Sequence, residues 1–295
     1  MKIAFLLSNL LTAVLTAGRP AAPPPAAFGY PDGVAVDRAG NVYVVDTDNG
    51  AVQRVSPTGD VTPLPGPPLA YPTGVAVGPT GTVYVADAGS HSIVQVTPAG
   101  SVSTLVHSRS LVYPAAVAVD SAGNVYIADA GAAPNSGAVL RVSARGALTT
   151  LAQGFNKPAG IAVSAQGVVY VADTDNNAVR QISPAGQVSP LATDLNHPRG
   201  LALEAAGSLL VADTYNNSIR RVSRTGQVSL LAEGFTYPAG VATDPTGTVY
   251  VTDTGTSSLR KISPTGQVTT VAGGTPPVGA PVPTAAGPEA TRLKQ

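Results

Sequence analysis

"VADTDNNAVRQISPAGQV", Val171 to Val188, places a carboxylate-rich loop, Asp173-Thr174-Asp175-Asn176-Asn177, between two short runs rich in valine and isoleucine. Ser183-Pro184-Ala185-Gly186 then supplies a turn. The same form recurs six times. Prolines stand at Pro31, Pro72, Pro114, Pro158, Pro198 and Pro238, at intervals of 41, 42, 44, 40 and 40 residues. Aspartates stand at Asp46, Asp87, Asp129, Asp173, Asp213 and Asp253, at the same intervals. A period of about 40 residues is the signature of a repeat architecture.

Each unit holds four strand candidates, in the first unit residues 33–37, 41–46, 51–56 and 61–64. Asp-x-x-Gly or Ser-Pro-x-Gly turns separate the first from the second and the third from the fourth, and no helical period appears. The pattern predicts an all-β chain, a six-bladed β-propeller of four-stranded antiparallel blades. The innermost strands read "GVAVD", "GVAVG", "AVAVD", "GIAVS", "GLALE" and "GVATD". Small and β-branched residues suit the crowded centre, where both faces of a blade pack on neighbours. A parallel β-helix is the rival, but its rungs are shorter and carry fewer turns. The stretch before the first unit, "RPAAPPPAA", is too rich in proline to complete the last blade. Each repeat is therefore expected to form one whole blade, with closure by blade-to-blade packing.

The segment "YPAGVATDPTGTVYVTDTGTSSLRKISPTGQVTTVAGG", Tyr237 to Gly274, resembles an NHL repeat, as do the other five copies, over Tyr30 to Gly274. One departure stands out. The family often carries an arginine just before the third strand, where this chain has Ala51, Ser92, Ala138, Ala178, Ser218 and Ser258. The resemblance therefore implies that any aspartate–arginine pair used there is missing, with arginines displaced to Arg54, Arg180, Arg220 and Arg260.

Charge is balanced, 17 basic against 17 acidic residues, which argues against a nucleic-acid surface and against steering to anionic membranes. There is no cysteine, hence no disulfide, thiolate metal site, cysteine nucleophile or acylated anchor. Residues 1–18 read as a secretory signal peptide or N-terminal membrane anchor, and 19–29 as a Pro/Ala-rich tether. Residues 30–274 are the propeller. Residues 275–295 are a Gly/Pro/Ala-rich tail, expected to be disordered unless more chain follows. A secreted or extracytoplasmic, monomeric protein is expected.

Six equivalent aspartates favour a repeated structural task, an Asx-turn, over catalysis. Asp173-x-Asp175-x-Asn177 has the start of a calcium loop, but Ala178 and Pro184 stand where that loop needs glycine and a bidentate glutamate. His91, His107 and His197 are placed on loops of one face and on different blades, so no metal centre is expected from them. The residues before the repeat prolines, Tyr30, Tyr71, Tyr113, Lys157, His197 and Tyr237, are placed around one mouth of the channel. Arg199, Tyr215, Asp32, Asn176, Asn177, Asn216 and Asn217 join them there. They fit either a ligand ring or interblade packing. Tyr43, Tyr84, Tyr126, Tyr170 and Tyr250 fall within second strands and are expected in the interblade core.

The resemblance implies an extracytoplasmic, sensor-type propeller that binds a peptide, a cell-envelope polymer or a partner protein without catalysis or cofactor. A second reading is a hydrolase or lyase, gluconolactonase-like or amidating-lyase-like, with an unrecognised metal site. Such enzymes need Glu, Asp, Asn or His on inner strands, where this chain is aliphatic with Thr243 as the polar exception. No G-x-S-x-G nucleophile motif occurs.

Overall fold

The aliphatic alternation produces strands throughout, and the computed structural model describes residues 28–274. The expected signal or anchor segment, all of the tether except Phe28 and Gly29, and the tail lie outside them. Six four-stranded antiparallel sheets, each contiguous in sequence, form a six-bladed β-propeller. Among the described residues helix is confined to four 3-10 turns, each between the second and third strand of a blade. In blade 1 the strands are Pro31–Val36, Val42–Asp46, Ala51–Val55 and Val61–Pro63. The inner strands begin two residues earlier than the aliphatic runs implied, at the repeat proline itself.

In every blade the repeat proline is the cross-strand partner of the repeat aspartate, Pro31 with Asp46 through Pro238 with Asp253. This explains why the two series share their intervals. The register shifts just after the proline, so each inner strand carries a bulge where it enters the channel. Proline has no N–H to leave unpaired there. The glycine two residues on, in Pro-x-Gly, is needed for close approach. A Cβ on Gly200 would lie 2.5 Å from the carbonyl oxygen of Ala239, and one on Gly74 2.7 Å from Cα of Ala116.

Hydrophobic cores sit between successive blades. Ala162, Ala172 and Val179 of blade 4 pack with Leu201, Leu209 and Val222 of blade 5. Phe28, with Leu259 and Ala272 of blade 6 and Val34 and Val44 of blade 1, closes the ring. Among the described residues no strand is shared across that closure, in keeping with one whole blade per repeat. The residue three before each repeat proline is Phe28, Leu69, Leu111, Phe155, Leu195 or Phe235, a repeated apolar wedge that the sequence reading overlooked.

Threonine stitches the blades. The hydroxyls of Thr47, Thr174, Thr214 and Thr254, each next to a repeat aspartate, donate to the repeat-proline carbonyl of the following blade: Pro72, Pro198, Pro238 and, across the closure, Pro31. The distances are 2.6–2.9 Å. Blade 2 has Ala88 at this position, and Thr73 donates to Pro114 instead (2.8 Å). Blade 3 has Ala130, which has no hydroxyl. We expect Thr214→Val to lower stability by about 1–2 kcal/mol, the value of a buried hydrogen bond whose acceptor is left unpaired. Gly200→Ala should cost more, about 2 kcal/mol or above, because its new methyl meets backbone rather than a yielding side chain. Urea unfolding of both variants checks the order.

Candidate functional site

The channel mouth is built where the inner strands begin. Each strand's second residue faces the axis: Asp32, Thr73, Ala115, Ala159, Arg199 and Ala239 line a cavity of about 60 Å³. Charge is thus present on inner strands, because they start at the proline rather than at the glycine. Arg199 of blade 5 reaches Asp32 of blade 1, with one guanidinium nitrogen 3.0 Å from each carboxylate oxygen. Both side chains are mostly buried, 18% and 13% exposed.

The rim residues divide into two arcs. On blades 4 to 6, Lys157 pairs with Asp175 (3.1 Å), and His197 Nδ1 lies 3.6 Å from the same carboxylate. The His197 ring stacks on Tyr215 at 4.2 Å, and Tyr215 meets Tyr237 edge to face at 5.7 Å. Lys157, His197 and Tyr237 all hold left-handed backbone, with φ of 48°, 54° and 56°. That region is costly for a side chain that is not glycine or asparagine. The side-chain oxygens of Asn177 and Asn217 accept the backbone N–H of His197 and Tyr237, at 2.8 and 3.0 Å. On the other arc, Tyr71 and Tyr113 lie 6.3 Å apart, Tyr30 and Tyr71 are half-buried and Tyr113 is buried. Tyr113 packs with Ala88 and Ala115, so its ring is interblade packing.

The repeat aspartates are buried and bind the connection that enters their own blade. Asp46 accepts from the backbone N–H of Gly29 (2.8 Å), Asp87 from Tyr71 (2.7 Å) and Asp129 from Tyr113 (3.2 Å). Asp173, Asp213 and Asp253 accept from Asn156, Asn196 and Thr236 at 2.6–2.7 Å. The expected Asx bond to the aspartate's own turn is seen at Asp129, which accepts from Gly131. The 3-10 turns after Asp87, Asp173, Asp213 and Asp253 have no side-chain cap bond.

The aspartate–arginine pair expected to be missing is present in three blades. Arg180, Arg220 and Arg260, third residues of their strands, reach back to Asp173, Asp213 and Asp253, each at 3.3 Å. Arg54 stands one position further along its strand, on the opposite face, beside Tyr43. Arg180 and Arg260 also cover the rings of Phe155 and Phe235, 4.8 and 5.0 Å from the centroids.

Burial raises the pKa of Asp129 and Asp253, against the lowering effect of the N–H groups of Gly131 and Thr236. At the opposite mouth, Tyr43 and Tyr126 donate to Asp37 and Asp120, each at 3.1 Å. Burial, with the Asp37 charge, pushes Tyr43 up to about 12. Of the second-strand tyrosines, Tyr43 and Tyr126 are buried, and Tyr84, Tyr170 and Tyr250 half-buried.

His91 Nδ1 lies 2.9 Å from the carbonyl oxygen of Val112, and His107 Nδ1 3.1 Å from that of Ser90. His107 ends the outer strand of blade 2 rather than lying in a loop. Among the described residues, no three His, Asp or Glu side chains are grouped to hold a metal ion. The calcium-like pair is divided between tasks, Asp173 on Asn156 and Arg180, Asp175 on Lys157. A larger cavity, about 610 Å³, opens away from the mouth between blades 1 and 2, beside the three-residue outer strand of blade 1. Its lining is mainly apolar, with Leu64, Pro68, Val94 and Val102 among it, and its polar part is Asp87, Ser90, Ser92 and His107. There the Ser90 hydroxyl lies 2.7 Å from both Asp87 and Ser92, and His107 Nδ1 meets the Ser90 carbonyl rather than a hydroxyl.

Fold and repeats define an NHL-type six-bladed propeller, and the NHL repeat matches residues 28–55. The chain belongs to the SMP-30/Gluconolactonase/LRE-like region family, which matches residues 69–293. No curated protein matches the sequence. A gluconolactonase of Xanthomonas campestris has a similar structure, with a TM-score of 0.70 and 17% identity over 83% of this chain and 88% of that one. Virginiamycin B lyase of Staphylococcus aureus gives 0.61 and 15%, over 82% and 84%. A chain of a nidogen/laminin complex gives 0.66 and 22%, over 73% and 86%. At these identities the likeness is one of fold.

Two substitutions separate the aspartate environments. Asp213→Asn removes a charge paired with Arg220 and should cost about 2 kcal/mol or more. Asp129→Asn keeps an oxygen for Tyr113 and should cost less than about 1 kcal/mol near neutral pH. A carboxyl whose folded pKa is raised adds stability that is present below its unfolded pKa and lost as pH rises through the folded value. Wild type should therefore gain on Asp129→Asn as pH falls from about 7 toward 4, measured by urea midpoints across that range.

Proposed function

We propose that the protein is an exported, non-catalytic binding module whose ligand lies on the loop face around the channel mouth. The observation that carries this is the Lys157–Asp175–His197–Tyr215–Tyr237 strip, kept at the cost of three left-handed residues. Strain retained at large polar and aromatic side chains is characteristic of sites that use them. The partner classes that fit are a peptide, a cell-envelope polymer or another protein. The basic start and apolar run of residues 1–18 support export.

Family membership favours a second reading, a propeller lactonase or lyase with a metal over the channel. The residues present do not fit that metal. Asp32 is the one carboxylate on the inner strands, and both its oxygens are engaged by Arg199. The guanidinium supplies the positive charge at the axis, and hard cations need several oxygen donors.

The test is capture of cell-envelope components by the full chain, against a Tyr71→Ala/Tyr215→Ala/Tyr237→Ala variant that melts at the same temperature. Capture lost in the variant supports the binding reading. Absence of capture, together with about one tightly held metal ion per chain and lactone hydrolysis that depends on it, would replace it with the enzyme reading.

A further inference from the structure

The geometry points to a neutral saccharide as the ligand, lying across the rim of blades 4 to 6. This rests on the binding reading and narrows it. Three observations combine. The rim offers ring surface in series, His197 on Tyr215 and Tyr215 against Tyr237. Aromatic rings with polar tips suit a ligand having both C–H faces and hydroxyls.

The rings are bordered by short amide side chains, Asn176, Asn177, Asn216 and Asn217, all exposed. Asn176 and Asn216 are fixed by bonds to Asp173 and Asp213, and Asn177 and Asn217 by the N–H groups they accept. They stand at equivalent positions on adjacent blades, so amides recur at the blade spacing, as a polymer of repeating units would require. Amides both donate and accept, which matches a hydroxyl without demanding a charge.

The charges on this arc are matched within the protein, Lys157 with Asp175 and Arg199 with Asp32. A strongly anionic or cationic ligand would have to displace one of these partners. Nor does the rim suit a peptide anchored by apolar side chains. The cavity on the axis and the one beside Tyr113 and Lys157 are each about 60 Å³. Side-chain anchors need deeper pockets. Among the described residues the exposed large aliphatic ones, Val102, Val112 and Leu230, stand outside the strip. A hydroxyl-rich chain that lies flat needs neither pocket nor net charge.

The experiment titrates the full chain with neutral tetrasaccharides of N-acetylglucosamine, β-1,4-linked glucose and α-1,4-linked glucose. Tetragalacturonate serves as the acidic comparator, and tyrosine emission and calorimetry are the readouts. At least one neutral tetrasaccharide should bind more tightly than tetragalacturonate, with affinity changing less than about twofold between low and high salt. Tyr215→Ala should lower that affinity about tenfold and Tyr215→Phe much less, while Leu230→Ala on the outer strand of blade 5 leaves it unchanged. Should Tyr215→Ala fold poorly, Tyr237→Ala and Tyr237→Phe make the same comparison. Binding to none of the neutral sugars, preference for tetragalacturonate, or indifference to both tyrosines would overturn the inference. Envelope capture that persists while all three sugars fail would remove the saccharide and leave the binding reading; loss of both would remove both.

Discussion

A carboxylate taken fully out of water must find hydrogen-bond donors. In this propeller each repeat aspartate finds them in the connection that enters its own blade, sixteen or seventeen residues earlier. The aspartate is paired with the repeat proline, so one residue fixes both the register of the inner strand and the path of the loop before it. The threonine that follows ties that proline's counterpart in the next blade. Pro and Asp thus form one joint, repeated around the ring, with the threonine added in blades 1, 4, 5 and 6. Lys157, His197 and Tyr237 stand directly before the proline, and Asp175 and Tyr215 two residues after the aspartate, so the rim inherits its positions from this joint.

Much of this was legible because the joint is periodic. Six prolines and six aspartates at common intervals are enough for blade count, strand order and the side of the ring that holds the tyrosines. The apolar wedge three before each proline is equally periodic, and the threonine after the aspartate recurs in four of the six copies; alignment on the proline reveals both. Other features were hidden for physical reasons. The bulge that starts the inner strand at Pro31 and Pro198 leaves no mark in aliphatic alternation, so Asp32 and Arg199 read as loop residues. Their pairing joins residues 167 apart in sequence, on blades that are not neighbours. The displaced arginines were visible, but the alternation of side chains along a strand decides which can reach back. Arg180, Arg220 and Arg260 share the aspartate's face, and Arg54 does not.

The six copies are not equivalent in chemistry. Blades 4 to 6 carry an arginine on the repeat aspartate, an asparagine or serine in left-handed conformation closing the 3-10 turn, and left-handed backbone before the proline. In blades 1 to 3 the aspartate is supplied instead by Asn49, Ser90 or the Gly131 amide. The half of the ring with the more elaborate joint is also the half where the rim rings touch in series. Arginine adds a charge-assisted bond to a carboxylate that already holds the connection, so the loop is fixed twice over. That is the condition under which a strained backbone persists. Ordering of the joint and presentation of the rim are therefore one arrangement rather than two.

Membership of a family that includes gluconolactonase-like proteins sets fold and axis, and the axis is where this chain departs. An arginine and an aspartate from blades 5 and 1 meet across the mouth, over a lining of glycine, alanine and valine. A metal at that place would have to displace the guanidinium, and the alanines and glycines around it add no side-chain ligand, while the Thr73 hydroxyl is engaged by the Pro114 carbonyl. The pair instead ties two non-adjacent blades and narrows the channel entrance. Closing the axis shifts any recognition outward, to the side chains that ring it. On that rim His197 and Tyr237 stand at left-handed positions where glycine would satisfy the backbone better.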